Sequence, residues 1–162
     1  MKGLDLYFIP WAFSNIGGLI LLWVSWQNPK IGRAAFTFLF GWAAWKNFST
    51  AQQTPEVYIE FAFLAINFYH DFILGWFADH IKFVVTMISI GQALIALGML
   101  LKGRWVKAAS LAAIFFFIAV SPLGVGSAFP FPLVASFAAY IIYKNPGNSN
   151  LWTFNMSTSK VV

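Results

Sequence analysis

Long apolar segments separated by short polar turns dominate the pattern of hydrophobic positions along the chain. A helix rises about 1.5 Å per residue, so about 20 apolar residues cross the roughly 30 Å hydrocarbon core of a bilayer. Five apolar segments end at polar, basic or proline-containing turns and are predicted to be membrane spans. They cover approximately residues 6–26, 31–46, 81–101, 105–121 and 130–143.

Residues 56–78 form a sixth apolar segment, which also holds several polar side chains. As a span it would place Asn67, His70 and Asp71 near the bilayer centre, where one charge costs about 2.5–3.5 kcal/mol on insertion scales. We therefore predict that this segment is an interfacial helix and not a sixth span. Residues 145–162, which follow the last span, form a polar C-terminal tail.

The composition supports a membrane protein. Of the 162 residues, 60% are hydrophobic, 20% are aromatic and only 9% are charged, whereas about a quarter of a typical soluble domain is charged. A soluble fold of this size cannot bury so much apolar surface. The predicted fold class is all-α, a polytopic transmembrane bundle of about five transmembrane helices plus one interfacial helix. Residues 1–144 form its single domain, in contact with the lipid bilayer.

The charged residues are divided unevenly between the two predicted sides of the membrane. With five spans, one side receives no acidic residue and the basic residues Lys30, Arg33, Lys102, Arg104, Lys107, Lys144 and Lys160. Because basic residues accumulate in cytoplasmic loops, this pattern predicts the plasma (inner) membrane of a prokaryote, with the N-terminus outside and the C-terminus cytoplasmic. The basic residues are too scattered to predict nucleic-acid binding.

Two segments carry a resemblance to a known family. GRAAFTFLFGWAAWKNFS at positions 32–49 and SIGQALIALGMLLKGRWVKAASLAAIFFFIAVSPLGVG at positions 89–126 resemble the DoxX-like family of small bacterial integral membrane proteins. The resemblance covers roughly residues 32–144, and the first predicted helix lies outside the family core. It implies a four-helix membrane bundle. DoxX relatives include a subunit of a thiosulfate:quinone oxidoreductase, so the resemblance also implies a quinone-interacting component.

Candidate binding groups are concentrated in and just after the predicted interfacial helix. The candidate contacts for a quinone, a lipid headgroup or a metal are His70, Asp71, Asp79, His80, Glu60, Asn67 and Trp76. A histidine can exchange a proton near neutral pH, and Phe72 and Phe77 with Trp76 provide apolar walls for a quinone ring. Three interpretations remain open: the polar groups meet only water and headgroups, they bind a quinone or lipid, or they bind a metal or catalyse. We assign no residue as catalytic or as a metal ligand.

Small and amide residues in the spans are predicted to pack helices together. Gly17 and Gly18 form a small patch in the first span, and Gly91, Gln92 and Gly98 lie in the third. Small residues let helices approach closely, and an amide can form a hydrogen bond across a helix contact within the membrane.

The function predicted from these observations is an accessory or structural subunit of a larger membrane complex of respiratory or redox type, with no catalytic activity of its own. Its expected partners are other membrane subunits. The chain lacks cysteine, which excludes disulfides, thiolate nucleophiles and iron–sulfur clusters held by this chain. The alternative is a DoxX-type quinone-interacting oxidoreductase component with a site on the outer face. The expected cofactor is a quinone or a bound lipid.

Overall fold

The computed structural model describes residues 4–153, which fold into a helical bundle. Its α-helices are α1 (Leu4–Gln27), α2 (Pro29–Gln53), α3 (Asn67–Phe72), α4 (Ala78–Leu100), α5 (Arg104–Val120) and α6 (Phe131–Lys144). Two 3₁₀-helices, Pro55–Phe63 and Ser121–Ser127, and a π-helical turn, Ile73–Phe77, join them. The part of the chain that the structure describes contains no β-strand. The predicted all-α class is confirmed.

A single residue, Asn28, joins the first two helices and is the N-cap of the second. The backbone of Asn28 is extended (φ −147°, ψ 94°), as favoured before a proline. Its side-chain Oδ1 accepts hydrogen bonds from the backbone N–H groups of Lys30 (3.0 Å) and Ile31 (3.3 Å). Pro29 suits the first turn of α2, because the N–H that it lacks would have no helical partner there. This turn sends α2 back along α1.

Five of the helices pack in a ring in the order α1, α2, α4, α5 and α6, with α6 returning to α1. Aromatic rings fill its interior. The ring centroid of Phe117 in α5 lies 5.4 Å from that of Phe40 in α2 and 5.9 Å from that of Phe131 in α6. Ala135 and Ala139 of α6 are fully buried, which allows the neighbouring helices to approach closely. The predicted helical bundle is therefore confirmed.

Three helical stretches are long and apolar enough to cross a membrane. Among the described residues these are Leu4–Gln27, Asn67–Leu100 and Arg104–Ser127. α6 is apolar but has 14 residues, which rise about 21 Å as an α-helix. α2 has 25 residues but is less apolar than these three. The apolar helices support a lipid bilayer as the surroundings of the bundle, whereas the number of five spans stays a prediction.

The segment predicted as one interfacial helix over residues 56–78 is divided into two pieces. The first is the 3₁₀-helix Pro55–Phe63, and the second is the start of a long helical stretch, Asn67–Leu100, that combines α3, the π-helical turn and α4. Gly75 in the π-helical turn has a non-helical backbone (φ −94°, ψ −118°), which bends this stretch. Its 34 residues measure about 51 Å, more than the hydrocarbon thickness, so its polar start need not lie near the bilayer centre.

Three segments meet at one end of the bundle: the start of α2 with Lys30 and Arg33, the α4–α5 turn with Lys102, and the segment that follows Lys144 of α6. This end is named here the basic end. The backbone N–H of Gly103, between α4 and α5, donates to the carbonyl of Gly147 at 3.1 Å. Lys30, at the start of α2, donates from Nζ to the carbonyl of Thr153 at 2.8 Å. The predicted polar tail is thus packed against the bundle as far as the structure describes it, and residues 154–162 lie outside the described residues.

Candidate functional site

An apolar cavity of about 480 Å³ lies between α2, α4, α5 and the 3₁₀-helix Pro55–Phe63 and is named the α4 chamber. Its volume is within the range of about 300–1,000 Å³ that small-molecule pockets occupy. Most of its wall is aromatic or aliphatic, including Phe72, Phe77, Val85, Phe116, Phe117 and Phe131. Aromatic side chains favour stacked or edge contacts with another ring. The chamber is therefore suited to a planar, apolar molecule.

Three polar side chains form a hydrogen-bonded chain beside this chamber. Tyr58 donates its hydroxyl to Oδ1 of Asn47 at 2.9 Å, and Asn47 donates from Nδ2 to Oε1 of Gln92 at 2.9 Å. Asn47 and Tyr58 line the chamber, and Gln92 is buried within the bundle. An amide nitrogen carries two N–H groups. Since Gln92 accepts one of them, Asn47 can offer the other to a ligand carbonyl.

The Tyr58 phenol is in its neutral form. Burial raises the pKa of this phenol above its ordinary value, and a hydrogen bond with the Thr50 side chain partly offsets the effect. The ordinary pKa of a tyrosine is already about 10. Tyr58 therefore keeps its proton at neutral pH and donates its O–H in the hydrogen bond to Asn47.

A second cavity of about 430 Å³ adjoins the first and is named the α1 chamber. Tyr7, Trp11 and Ser14 of α1 line one side, and Glu60 and Val125 also contribute to its wall. The two chambers share the wall residues Phe61, Gly126, Ser127 and Phe131. They are therefore neighbouring spaces separated by these residues.

The two histidines lie outside both chambers and apart from each other. Nδ1 of His70 lies 2.9 Å from Oδ1 of Asp71, whose side chain is 82% exposed. Nδ1 of His80 lies 2.8 Å from the backbone oxygen of Trp76, and the two rings stack with centroids 4.4 Å apart. Trp76 itself is exposed and lines neither chamber. These four residues form two local pairs on the surface and do not converge on one site.

The other candidates from the sequence are divided between the chambers and the surface. Glu60 lines the α1 chamber, whereas Asn67 and Asp79 are exposed and line neither cavity. Phe72 and Phe77, predicted as walls of a quinone slot, both line the α4 chamber. Within residues 4–153, no three His, Cys, Asp or Glu side chains are grouped so that they could hold a metal ion.

The predicted packing glycines differ in their surroundings. A Cβ at Gly18 would lie 2.8 Å from a ring carbon in α6, and one at Gly98 would lie 2.7 Å from Cβ of Ala109 in α5. A Cβ at Gly17 or Gly91 would meet nothing within 4 Å. The first two glycines therefore allow close helix contacts, whereas the second two do not lie at such contacts within the described structure.

Sequence analysis missed Asn47 and Tyr58, two polar side chains in the wall of the α4 chamber. Asn47 is 45 residues from Gln92 and 11 residues from Tyr58 along the chain, so no local spacing reveals the contact. The available signal was Gln92, for which a hydrogen bond across helices was predicted. A buried amide requires a polar partner on a neighbouring element, and the structure identifies that partner as Asn47.

Comparison of the chain with family models, with curated proteins and with solved structures finds no match. The resemblance to the DoxX-like family therefore stays a prediction, and the function is argued from the two chambers.

Proposed function

We propose that this chain is an integral membrane subunit that binds a quinone-class molecule in the α4 chamber, as an accessory component of a larger redox complex. The observation that carries the proposal is the combination of an aromatic, apolar wall with Asn47 and Tyr58 at one side. A quinone needs an apolar slot for its ring and a donor for its carbonyl oxygen. Both are present in this chamber.

The polar groups of the chamber support binding more than catalysis. Asn47 can donate to a carbonyl but does not titrate, and the raised pKa of Tyr58 keeps its phenol protonated. Both histidines lie outside the chamber. Reduction of a quinone also requires protons and electrons, which we assign to partner subunits. The chain would then hold and position the quinone.

Replacing Asn47 by leucine tests the quinone contact. Asn47→Leu removes the donor for the carbonyl and leaves Gln92 and Tyr58 without their shared partner. We expect it to weaken binding of a short-tailed benzoquinone, followed by quenching of tryptophan fluorescence, about tenfold, because one buried hydrogen bond contributes about 1 kcal/mol or more. Gln52→Leu is the matched control, since Gln52 is an exposed amide of α2 that donates to Thr86 of α4 and does not line the chamber.

The same preparation tests the nature of the natural ligand and of the partners. The protein is purified in mild detergent, its apolar contents are extracted with organic solvent, and co-purifying subunits are identified by mass spectrometry. A quinone absorption spectrum together with stable partner subunits supports the proposal. The proposal would be contradicted if the extract contained phospholipid alone and added benzoquinone did not displace that phospholipid from the protein.

A further inference from the structure

We infer that the rings of Phe61 and Phe131 form a partition between the two chambers, and that the tail of the bound quinone passes this partition from the α4 chamber into the α1 chamber. The protein thereby selects long-tailed quinones. This inference rests on the proposed function and adds the ligand's chain length to it. A quinone ring with an isoprenoid tail is longer than its ring alone, and the tail requires further apolar space next to the ring. The α1 chamber provides that space.

The two chambers are adjacent at a small number of side chains. Phe61 of the 3₁₀-helix Pro55–Phe63 and Phe131 at the start of α6 belong to both walls. The cavities have volumes of about 480 and 430 Å³. The shared residues Phe61, Gly126, Ser127 and Phe131 line both cavities, so a ligand that occupies both chambers has to pass the two phenyl rings.

Two glycines allow the rings of the partition to lie close to the backbone. A Cβ at Gly126 would lie 2.5 Å from Cδ1 of Phe61, and one at Gly18 would lie 2.8 Å from Cδ2 of Phe131. Contacts below 3.0 Å force a neighbour to move. Adding a methyl group at either glycine would therefore displace a ring of the partition and change the passage between the chambers.

The proposed function places the ring of the ligand beside the remaining N–H of Asn47 in the α4 chamber, so the tail is the part that enters the α1 chamber. Asn47 and Tyr58 line the first. The charged group that lines the second is the carboxylate of Glu60, which accepts hydrogen bonds and cannot donate one to a carbonyl when ionised. The indole N–H of Trp11 in that chamber is already donated to the carbonyl of Phe129 at 2.6 Å. The hydroxyls of Tyr7, Ser14 and Ser127 are the other polar groups of that wall, and the apolar tail lies against the rest of it.

Enlarging one ring of the partition tests the inference. Phe61→Trp should narrow the passage, and we expect it to weaken binding of a long-tailed benzoquinone about tenfold or more, because each methylene kept in water changes affinity about fourfold. Because Phe61 also lines the α4 chamber, the readout is the ratio of the two affinities, and binding of a short-tailed benzoquinone should weaken several-fold less than binding of the long-tailed one. Phe63→Trp is the matched control, since Phe63 lies in the same 3₁₀-helix, is 61% exposed and lines neither chamber. Gel-filtration elution and circular dichroism confirm that each variant is folded.

The outcomes separate this inference from the proposed function. If both benzoquinones bind with equal affinity and Phe61→Trp affects them equally, the partition has no role in chain-length selection, although the proposed function stands. If Ser14→Ala, which removes a hydroxyl of the α1 chamber, weakens binding of both benzoquinones more than Asn47→Leu does, the ring lies in the α1 chamber and the inference is wrong. If neither benzoquinone binds the unmodified protein, the proposed function fails, and the inference fails with it. Should Phe61→Trp not fold, Gly126→Ala displaces the same ring, and a changed ratio of long-tailed to short-tailed affinity is then the expected result.

Discussion

Arg33 shows how one side chain can hold two segments of the chain together. Arg33 is 1% exposed, and the hydrogen-bond partners of its guanidinium are backbone carbonyls and not carboxylates. Nε donates to the carbonyl of Met99 at 3.0 Å, and Nη2 donates to that of Leu101. Nη1 donates to the carbonyls of Pro146 and Ser149 at 3.1 and 3.2 Å. The guanidinium thus satisfies carbonyls at the end of α4, where a positive charge also interacts favourably with the helix dipole.

Replacing Arg33 by methionine should destabilise the protein strongly. Arg33→Met leaves several buried carbonyls without donors, and hydrogen bonds to charged groups contribute about 1.5–3 kcal/mol each, so we expect a loss of roughly 3 kcal/mol or more. Arg33→Lys should keep only part of this stability, because an ammonium lacks the planar fork of N–H donors that reaches four carbonyls. Thermal unfolding in detergent, followed by circular dichroism, measures the difference. The control is the exposed Arg104→Met, and equal unfolding temperatures for the two methionine variants would contradict the role given to Arg33.

At the scale of the elements, the sequence predicted the helices better than their contacts. The five helices of the ring correspond to the five predicted spans, because long apolar runs identify the helical segments. Their bounds differ where a helix continues into polar sequence: the span predicted over 31–46 is part of a helix that extends over Pro29–Gln53. Hydropathy marks the apolar part of a helix, whereas backbone hydrogen bonds continue past it.

The candidate site could be predicted only in its apolar part. Of the three aromatic residues predicted to wall a slot, Phe72 and Phe77 line the α4 chamber and Trp76 does not. The polar partners could not be predicted, because the contact of Asn47 with Gln92 depends on the register between α2 and α4. The histidines were candidates because of their chemistry, yet each is paired with a nearby residue of the same helical stretch, His70 with Asp71 and His80 with Trp76.

The packing of α4 against α5 gives a matched pair of glycine substitutions. Gly98→Ala would place a methyl group 2.7 Å from Cβ of Ala109, and overpacking of this kind typically costs about 1–3 kcal/mol. Gly91→Ala adds the same methyl group seven residues earlier in α4, where nothing lies within 4 Å. There we expect a small gain, up to about 1 kcal/mol, because alanine favours a helix over glycine. Equal effects of both substitutions on the unfolding temperature would contradict a close contact at Gly98.

At the scale of the whole molecule, the apolar surface surrounds the ring of helices. Large hydrophobic side chains face outward from α1 and α2, among them Phe13, Trp26 and Phe38, which are exposed by 73–81%. A soluble protein rarely exposes large contiguous apolar patches, so lipid or other membrane subunits are the expected neighbours. The basic end, by contrast, brings together the cationic residues at the start of α2, those of the α4–α5 turn and Lys144 at the end of α6. The orientation predicted from the sequence puts this end on the cytoplasmic side.

Single-cysteine labelling tests that orientation directly, because the chain contains no cysteine of its own. Gln27→Cys and Lys102→Cys place a thiol at the basic end, and Gln53→Cys places one at the far end of α2; all three positions are exposed. Since basic residues favour the cytoplasmic side, a membrane-impermeant maleimide added to intact cells should label only the Gln53→Cys protein. The other two should react in inverted vesicles. Labelling of Gln27→Cys and Lys102→Cys from opposite sides would rule out a common basic end in the membrane, and labelling of both from outside would reverse the proposed orientation.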